Sequence, residues 1–425
     1  MSPCRSKKAP RGCDVPALIP ILAGIALATI ALAVVWGRLA LRDVRYRAEV
    51  HPDHIFPGES AELVITLSNA KGIAVPWLIT RDDISVDMAV QGGRIEPHHV
   101  PGRAQLVQFW SIGPRERVRR RYRVSSPRRG LHVIGPSTLR SGDPFGWRDE
   151  QVEGGVSGRL LVYPRTYPLA QWHIVAERPF GQRPRSGWLL PDPAQVIGAR
   201  PYRAGDPYRM VHWPATARLG AIQVKQTVPA HSVAAAIFLD VRTAQHAWEG
   251  IDRARAEAAI ALASTLAREA VEARGEVAFY ANTPLRDQAS VVRLASAAGQ
   301  AQLRRVMEAL ALAGVQPWSR IEDLLALDGR SLPRGVRLLV ITPLFTAAVA
   351  AAVAALARSG RRVDLFRVGD QQPAAAPDVP GLSSFRIPDE QVAAWFRGEG
   401  TSGAGGGGAG GEAGLASGLP LAEAE

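Results

Sequence analysis

From Val15 to Trp36 the chain runs for 22 residues without a charged side chain. As a helix rising 1.5 Å per residue, such a run is roughly 33 Å long, close to the hydrocarbon thickness of a bilayer. Pro16 and Pro20 fall in its first turns, where a missing N–H does least harm. Trp36 closes it, at the depth where an amphipathic ring suits the membrane interface. A cleaved signal peptide has an apolar core of about 7–15 residues, shorter than this one. The expectation is a retained transmembrane helix over residues 15–36, preceded by a basic N-terminal segment, 1–14. Arg5, Lys7, Lys8 and Arg11 flank it on one side and Arg38, Arg42, Arg45 and Arg47 on the other. The positive-inside rule is therefore balanced and leaves the orientation open.

The remaining 389 or so residues need more than one domain, since a domain commonly takes about 100–200. Both cysteines, Cys4 and Cys13, precede the apolar run. Everything after it lacks the means for a disulfide, a Cys-based zinc site or a thiol nucleophile. The formal charge of +12 raises the question of a nucleic-acid partner. Only Lys7, Lys8, Lys71 and Lys225 are lysines, however, and the other 47 of the 51 basic residues are arginines. Together with abundant Ala, Gly and Pro, that ratio reads as the composition of a GC-rich bacterial genome, and no nucleic-acid partner is expected.

Residues 45–170 carry short β-forming runs punctuated by Pro57-Gly58, Ser68-Asn69 and Gly92-Gly93. This predicts an all-β, sandwich-like domain. Within it, a period of two puts Arg117, Arg119, Arg121 and Arg123 on one face of a strand and Val118, Tyr122 and Val124 on the other. A connecting region, 171–230, follows. From 231 to 397 apolar runs alternate with helical patterns. Val233–Leu239, Val277–Tyr280, Val336–Ile341 and Val363–Val368 read as strands. Asp252–Arg274, Gln302–Ala313, Thr346–Ser359 and Asp389–Arg397 read as helices. The pattern predicts a doubly wound α/β domain. Residues 398–425 are too rich in Gly and Ala to bury a core and read as a disordered tail.

Three stretches resemble one family. The first joins Arg129-Gly130-Leu131-His132-Val133-Ile134-Gly135-Pro136 to Asp143-Pro144-Phe145-Gly146-Trp147. The second is Leu161-Val162-Tyr163-Pro164. The third runs from Gly198 to Trp213, with the core Gly205-Asp206-x-x-Arg209-x-x-His212-Trp213, and ends at Ala217-Arg218. Together with the order of membrane segment, β-rich region and α/β region, they resemble the bacterial family called domain of unknown function 58. That resemblance implies a membrane protein with a von Willebrand A-like domain and an association with MoxR-type AAA+ ATPases in protein maturation or cell-envelope assembly. Family members usually carry a hairpin of two membrane helices, where this chain has room for one. After His212-Trp213 the family often has Lys, where this chain has Pro214.

Two constellations could carry function. A von Willebrand A metal loop usually reads Asp-x-Ser-x-Ser, with oxygen ligands that suit Mg²⁺. Here it reads Asp240-Val241-Arg242-Thr243-Ala244. Arg242 and Ala244 stand in the serine slots, Thr243 is one slot off, and Val340-Ile341-Thr342-Pro343 supplies no acidic residue. A degenerate, metal-independent site is expected, with Arg242 placed to pair with Asp240 where the ion would sit. The second constellation is Arg203, Gly205, Asp206, Arg209, His212, Trp213 and Arg218. Gly205 allows a tight turn, Asp206 can bridge Arg209 three residues on or cap a helix, and His212, Trp213 and Arg218 extend a polar-aromatic surface. It reads either as a salt-bridged turn locking the β-rich region to the α/β domain or as a docking surface, since Arg and Trp dominate interface hot spots.

With no second carboxylate, paired His ligand or nucleophile beside a base, no enzyme, cofactor or catalytic residue is expected. The leading expectation is a membrane-anchored accessory protein in the bacterial cell membrane, its soluble domains on the cytoplasmic side, partnered by a MoxR-type AAA+ ATPase. An outward-facing envelope protein binding through the β-rich domain is the first alternative, and a hydrolase the last.

Overall fold

The computed structural model describes residues 15–154, 158–169, 172, 175–176, 196–203, 206, 208–227, 234–285, 290–370, 372–397 and 423–424. The expected basic segment 1–14 and most of the expected tail, 398–422, lie outside these. Of the tail, Glu423 and Ala424 are described, and they pair antiparallel with Arg119 and Val118. The chain divides into two compact units. The first comprises residues 1–127, 132–160 and 414–425, and the second comprises 128–131 and 161–413. The boundary falls after Leu160, ten residues before the expected end of the β-rich domain. The reason is packing: Tyr167, Leu169 and Trp172 bury their side chains in the core of the second unit.

The first unit begins with a helix, Val15–Leu39. It is the one helix among the described residues that is long and apolar enough to cross a membrane. It outlasts the predicted span by three residues. Leu22, Ile25, Leu27, Ile30, Leu32 and Val35 are exposed along its length. Ala33, Gly37 and Ala40, spaced four and three apart, are buried. These small residues let the last turns lie closely on the strands Ser137–Gly142 and Asp149–Gly154. Lys71 closes the helix end: its Nζ donates to the carbonyls of Leu39 at 2.7 Å, Arg42 at 3.1 Å, and Ala40. Leu39 ends the helix and Ala40 and Arg42 follow it, so a cation there complements the helix dipole.

Two antiparallel five-stranded sheets make up most of the rest of this unit. One runs Val44–His51, Ala61–Asn69, Arg117–Ser125, with Ala89–Gln91 and Glu423–Ala424 also paired to Arg117–Ser125. The other runs Asp149–Gly154, Ser137–Gly142, Val75–Ser85, Arg103–Ile112, Arg94–Pro97. Side chains meet across the gap between them. The Tyr46 hydroxyl donates to Asp82 at 2.6 Å, the Tyr122 hydroxyl donates to Gln108 at 3.1 Å, and the Arg120 guanidinium lies 3.9 Å from the Trp110 ring centroid. The alternation read from the sequence holds in Arg117–Ser125. Arg117, Arg119, Arg121 and Arg123 are exposed, while Val118, Tyr122 and Val124 are buried. This is the β-rich domain, and its architecture is a sandwich.

The second unit is built on one seven-stranded sheet. Six of its strands are β1 (Ala234–Leu239), β2 (Glu276–Pro284), β3 (Val291–Ala298), β4 (Arg337–Thr342), β5 (Val363–Val368) and β6 (Leu382–Ile387). They lie in the order β3-β2-β1-β4-β5-β6, with the two-residue strand Val175–Ala176 outside β6. β2, β1, β4, β5 and β6 run parallel, while β3 and Val175–Ala176 are antiparallel to their neighbours. Its helices are α1 (Arg253–Glu272), α2 (Gln300–Leu312), α3 (Ile321–Ser331), α4 (Ala347–Arg358) and α5 (Asp389–Arg397).

The central strands are apolar on both faces because both faces are covered. Ile237, Leu239, Phe279, Leu339, Ile341 and Phe366 share one core with α1 and α2. Phe238, Tyr280, Leu338, Val340 and Leu365 share the other with α3 and α4. The two longest-signalled helices carry side-chain caps: Asp252 accepts from the Arg255 N–H ahead of α1, and Thr346 from the Val349 N–H ahead of α4. The strand order reverses between β1 and β4, so the topological switch point opens at their carboxyl ends.

Candidate functional site

Asp240 directly follows β1, at the switch point, and is fully buried. Its carboxylate accepts from three donors drawn from three places in the sheet. Asn282 in β2 donates Nδ2 at 2.7 Å, Thr342 at the end of β4 donates Oγ1 at 2.8 Å, and the Arg242 backbone N–H donates at 2.9 Å. Asn282 also accepts from the Val241 N–H at 3.0 Å and donates to the Ser319 carbonyl at 3.2 Å. Burial pushes the Asp240 carboxyl up to about 6, against the opposing pull of the Arg242 charge and the three hydrogen bonds.

The expected pairing of the Arg242 guanidinium with Asp240 is not what the structure holds. Arg242 reaches Asp240 through its backbone and sends its side chain to Glu322 in α3, 3.4 Å away. The geometric reason is local. The backbone N–H two residues past an aspartate closes an Asx-type turn onto its carboxylate, and this carries the side chain out of the crevice. Thr243 also turns away, accepting from the Asp252 N–H at 3.0 Å. Thr342 and Asn282 are the site residues that sequence reasoning missed. Thr342 lies in a segment, Val340–Pro343, that carries no acid, and Asn282 has no motif around it. Two exposed tryptophans lie on loops at this end of the sheet. Trp248 stacks on His246 in the loop after β1, and Trp318 donates its backbone N–H to the Asn282 carbonyl at 2.7 Å.

The second constellation folds around a hairpin, Val196–Pro201 against Gln223–Thr227. Gly205 and the side chain of Arg209 lie outside the described residues. Asp206 takes a partner the sequence reading did not name. Arg200, on the hairpin, grips it with two parallel bonds, Nη1 to Oδ2 and Nη2 to Oδ1, both 2.7 Å. The Arg203 backbone N–H adds a third at 2.9 Å. A bidentate guanidinium is the strongest common geometry for holding a carboxylate. The Arg200 bonds, joined by the Arg203 N–H, hold the Asp206 carboxyl down at about 2.

His212 is an N-cap rather than part of an open polar surface. Its Nδ1 accepts from the Ala215 N–H at 3.0 Å and so starts the short helix Trp213–Leu219. Pro214 then sits in the first turn of that helix, where its missing N–H costs nothing. Gly220 ends the helix with φ 67°, a conformation glycine adopts freely. Asp206 and His212 are thus engaged, and large side chains are left exposed. Tyr208 is 74% exposed and Trp213 69%. Leu219 and Arg218 are exposed beside them, and Tyr208 stacks on Tyr202 at 5.9 Å between centroids.

The other resemblance-bearing stretches are also placed. Arg129, which falls in the second unit, donates Nε to Glu257 in α1 at 2.7 Å and Nη1 to the carbonyls of Leu310, Ala311 and Ala313. In the first unit the buried Asp143 side chain accepts backbone N–H groups from Phe145, Trp147 and Arg148 at 2.9–3.1 Å. Desolvation works to raise its carboxyl, but these bonds prevail and hold it below its ordinary value.

Residues 198–397 match the family model described as protein of unknown function DUF58. Through this region, 200 of its 425 residues, the chain is similar to the DUF58 family. The match takes in the Arg203–Arg218 motif and the whole of the sheet from β1 to β6, so both constellations lie within it. No curated protein matches the chain. Among solved structures it is similar to a CARDB domain from Pyrococcus furiosus, at 19% identity over 28% of this chain and 90% of that one, with a TM-score of 0.20. A cohesin module from a Clostridium perfringens glycoside hydrolase is 12% identical over 28% of this chain and 96% of the module, with a TM-score of 0.20. The collagen-binding domain of a Staphylococcus aureus adhesin is 10% identical over 28% and 95%, at 0.18.

Proposed function

We propose that this chain is a membrane-anchored, non-enzymatic docking protein, with the Arg203–Arg218 motif as its partner-binding surface. One observation carries the reading. Two polar groups of the motif are held, Asp206 by Arg200 and His212 by the Ala215 N–H, and Tyr208 and Trp213 are left exposed on a braced turn. Aromatic and arginine side chains held rigid at a surface are the usual anchors of protein interfaces, because little entropy is lost when they are covered. A clamped carboxylate near 2 and a capping imidazole are poorly placed for acid–base work, which supports the non-enzymatic reading.

The α/β unit is read as von Willebrand A-like, on the strand order β3-β2-β1-β4-β5-β6 and on Asp240 at the switch point. Its crevice is read as metal-independent, because hydroxyl, amide and backbone donors take the bonds that an ion would otherwise take. The helix Val15–Leu39 is read as the anchor, with the soluble units on the cytoplasmic side. The family resemblance offers a MoxR-type AAA+ ATPase as the partner.

The test is co-purification of such an ATPase with the full chain from detergent-solubilised membranes. Tyr208→Ala with Trp213→Ala should weaken capture by about tenfold or more. Unchanged capture would overturn the docking role. Protease added to intact spheroplasts should spare residues 45–425, and their digestion would place the soluble units outside.

A further inference from the structure

The turn Asp143–Arg148 has a feature that neither its fold nor the docking surface explains. It is held rigid from within, by the four backbone bonds to the Asp143 carboxylate and by the Trp77 Nε1–H, which donates to the Asp143 carbonyl at 2.8 Å. That bracing presents Phe145 and Trp147 outward, 51% and 62% exposed, with ring centroids 5.0 Å apart. Two large aromatic rings stacked on each other in water on a braced turn are costly to leave uncovered.

The position of the turn says what covers them. Gly37, one residue past Trp36 at the end of the apolar run, lies against it. A Cβ placed on Gly37 would stand 3.7 Å from the Arg148 Cβ and 4.0 Å from the Asp143 N. The helix and the turn belong to the same unit, and the buried stripe Ala33, Gly37 and Ala40 sets the level at which they meet. The outward residues of the helix just before that level, Leu32 and Val35, are apolar and exposed. Those just after it, Arg38 and Arg42, are charged and exposed, as is Arg148 on the turn. The change from apolar to cationic marks the depth of the headgroups, where aromatic rings are favoured and arginines can pair with lipid phosphates.

We infer that Phe145 and Trp147 insert into the interfacial layer of the same bilayer leaflet from which the helix Val15–Leu39 emerges. They form a second contact that seats the β-sandwich on the membrane surface. The inference rests on the reading of that helix as a membrane anchor. With two fixed contacts, the sandwich is held at one tilt instead of swinging on a single helix. Lys71 supports this by tying the helix end to the sandwich through three carbonyls.

Site-directed spin labelling of the full chain tests it. Cys4 and Cys13 are the chain's two cysteines, so Cys4→Ser with Cys13→Ser leaves a background free of thiols. Single labels are then placed at Leu27→Cys, Trp147→Cys and Val86→Cys in proteoliposomes containing phosphatidylglycerol. Val86 is exposed and lies just beyond the far end of the strand Val75–Ser85, about 30 Å from Trp77 by strand rise. Collision with oxygen against a water-soluble nickel reagent reports depth. The expected result is a label at 27 in the hydrocarbon, one at 147 at headgroup depth, and one at 86 in water. A label at 27 in the hydrocarbon with one at 147 as wet as that at 86 would overturn this inference and leave the anchor standing. A wet label at 27 would overturn the anchor itself. Phe145→Ser with Trp147→Ser, which removes no buried side chain, should loosen the sandwich, seen as faster tumbling of a label at 86. Unchanged tumbling would count against a seating role.

Discussion

Asp240 and Asp206 sit some thirty residues apart in one DUF58 region and were both marked by their sequence context, yet they are held in opposite ways. Asp240 is buried among neutral donors from β2 and β4, and burial lifts its carboxyl to about 6. Asp206 is partly exposed and gripped by a guanidinium, which lowers it to about 2. The two turns are stabilised by different means. In the crevice the fold bears the cost of a buried charge and offsets it with hydrogen bonds. At the motif the charge pair itself does the bracing. One aspartate is a keystone between strands, and the other is a local clamp.

The largest effect is expected at the keystone. Asp240→Ala strands the Asn282 amide, the Thr342 hydroxyl and the Arg242 N–H in a dry crevice. It should cost about 3 kcal/mol, read as a lower unfolding midpoint of the second unit in denaturant. A cost near zero would mean that water repairs the crevice and that Asp240 holds nothing together.

The next effect is on pH dependence. A buried carboxyl raised from 3.8 to about 6 keeps its proton in the folded state after the unfolded chain has lost it. Stability from this group is therefore lost as pH rises through roughly 4 to 6, on the order of 3 kcal/mol in all. Asp240→Asn cannot ionise and keeps one acceptor oxygen. It should flatten that slope and leave the variant at least as stable as the parent at pH 7. A slope that persists in the variant would assign it to another group.

Asp206 has the opposite sign. A carboxyl depressed to about 2 supports the folded turn fully above about pH 4, and that support fades as pH falls through 2. Asp206→Asn should thus leave the melting temperature near neutral pH little changed, since a part-exposed pair is screened by solvent. It should nevertheless loosen the motif, seen as faster amide exchange at residues 200–212. Equal exchange in variant and parent would show that the hairpin, and not the ion pair, braces the turn. The smallest effect expected is none: millimolar Mg²⁺ should not move the melting temperature, because neutral and backbone donors already occupy the Asp240 carboxylate. A rise on adding Mg²⁺ would restore the crevice as a cation site.

The legibility of the fold followed signal strength. Strands β1 and β5 and helices α1 and α4 could be read because continuous apolar runs and a 3.6-residue stripe need no partner to be visible. β3, Val291–Ala298, escaped because it is an antiparallel strand toward the edge, rich in Ala and Ser and largely exposed. β6, Leu382–Ile387, escaped because Ser383, Ser384 and Arg386 interrupt its apolar residues. α3, Ile321–Ser331, ends in Asp-Gly-Arg-Ser, which hid its Ile321, Leu324, Leu325 face. At the sites, His212 and Asp206 were noticed but not their partners, because a cap and a clamp depend on backbone geometry and not on residue type alone.

Local choices are written in the residues themselves. The uncharged run to Trp36 forms a helix long and apolar enough to cross a membrane, the Arg117–Ser125 alternation assigns its two faces, and the continuous apolar runs of β1 and β5 mark buried strands. Which groups meet depends on the fold. Asn282 and Thr342 reach Asp240 from 42 and 102 residues away, through the pairing of three parallel strands. Arg200 reaches Asp206 because a hairpin folds it back, and the Asp143 turn comes to rest against Gly37 by packing across more than a hundred residues of chain. Hydrogen bonds and burial act over a few ångströms, and the distance along the chain says nothing about them until the sheet has formed.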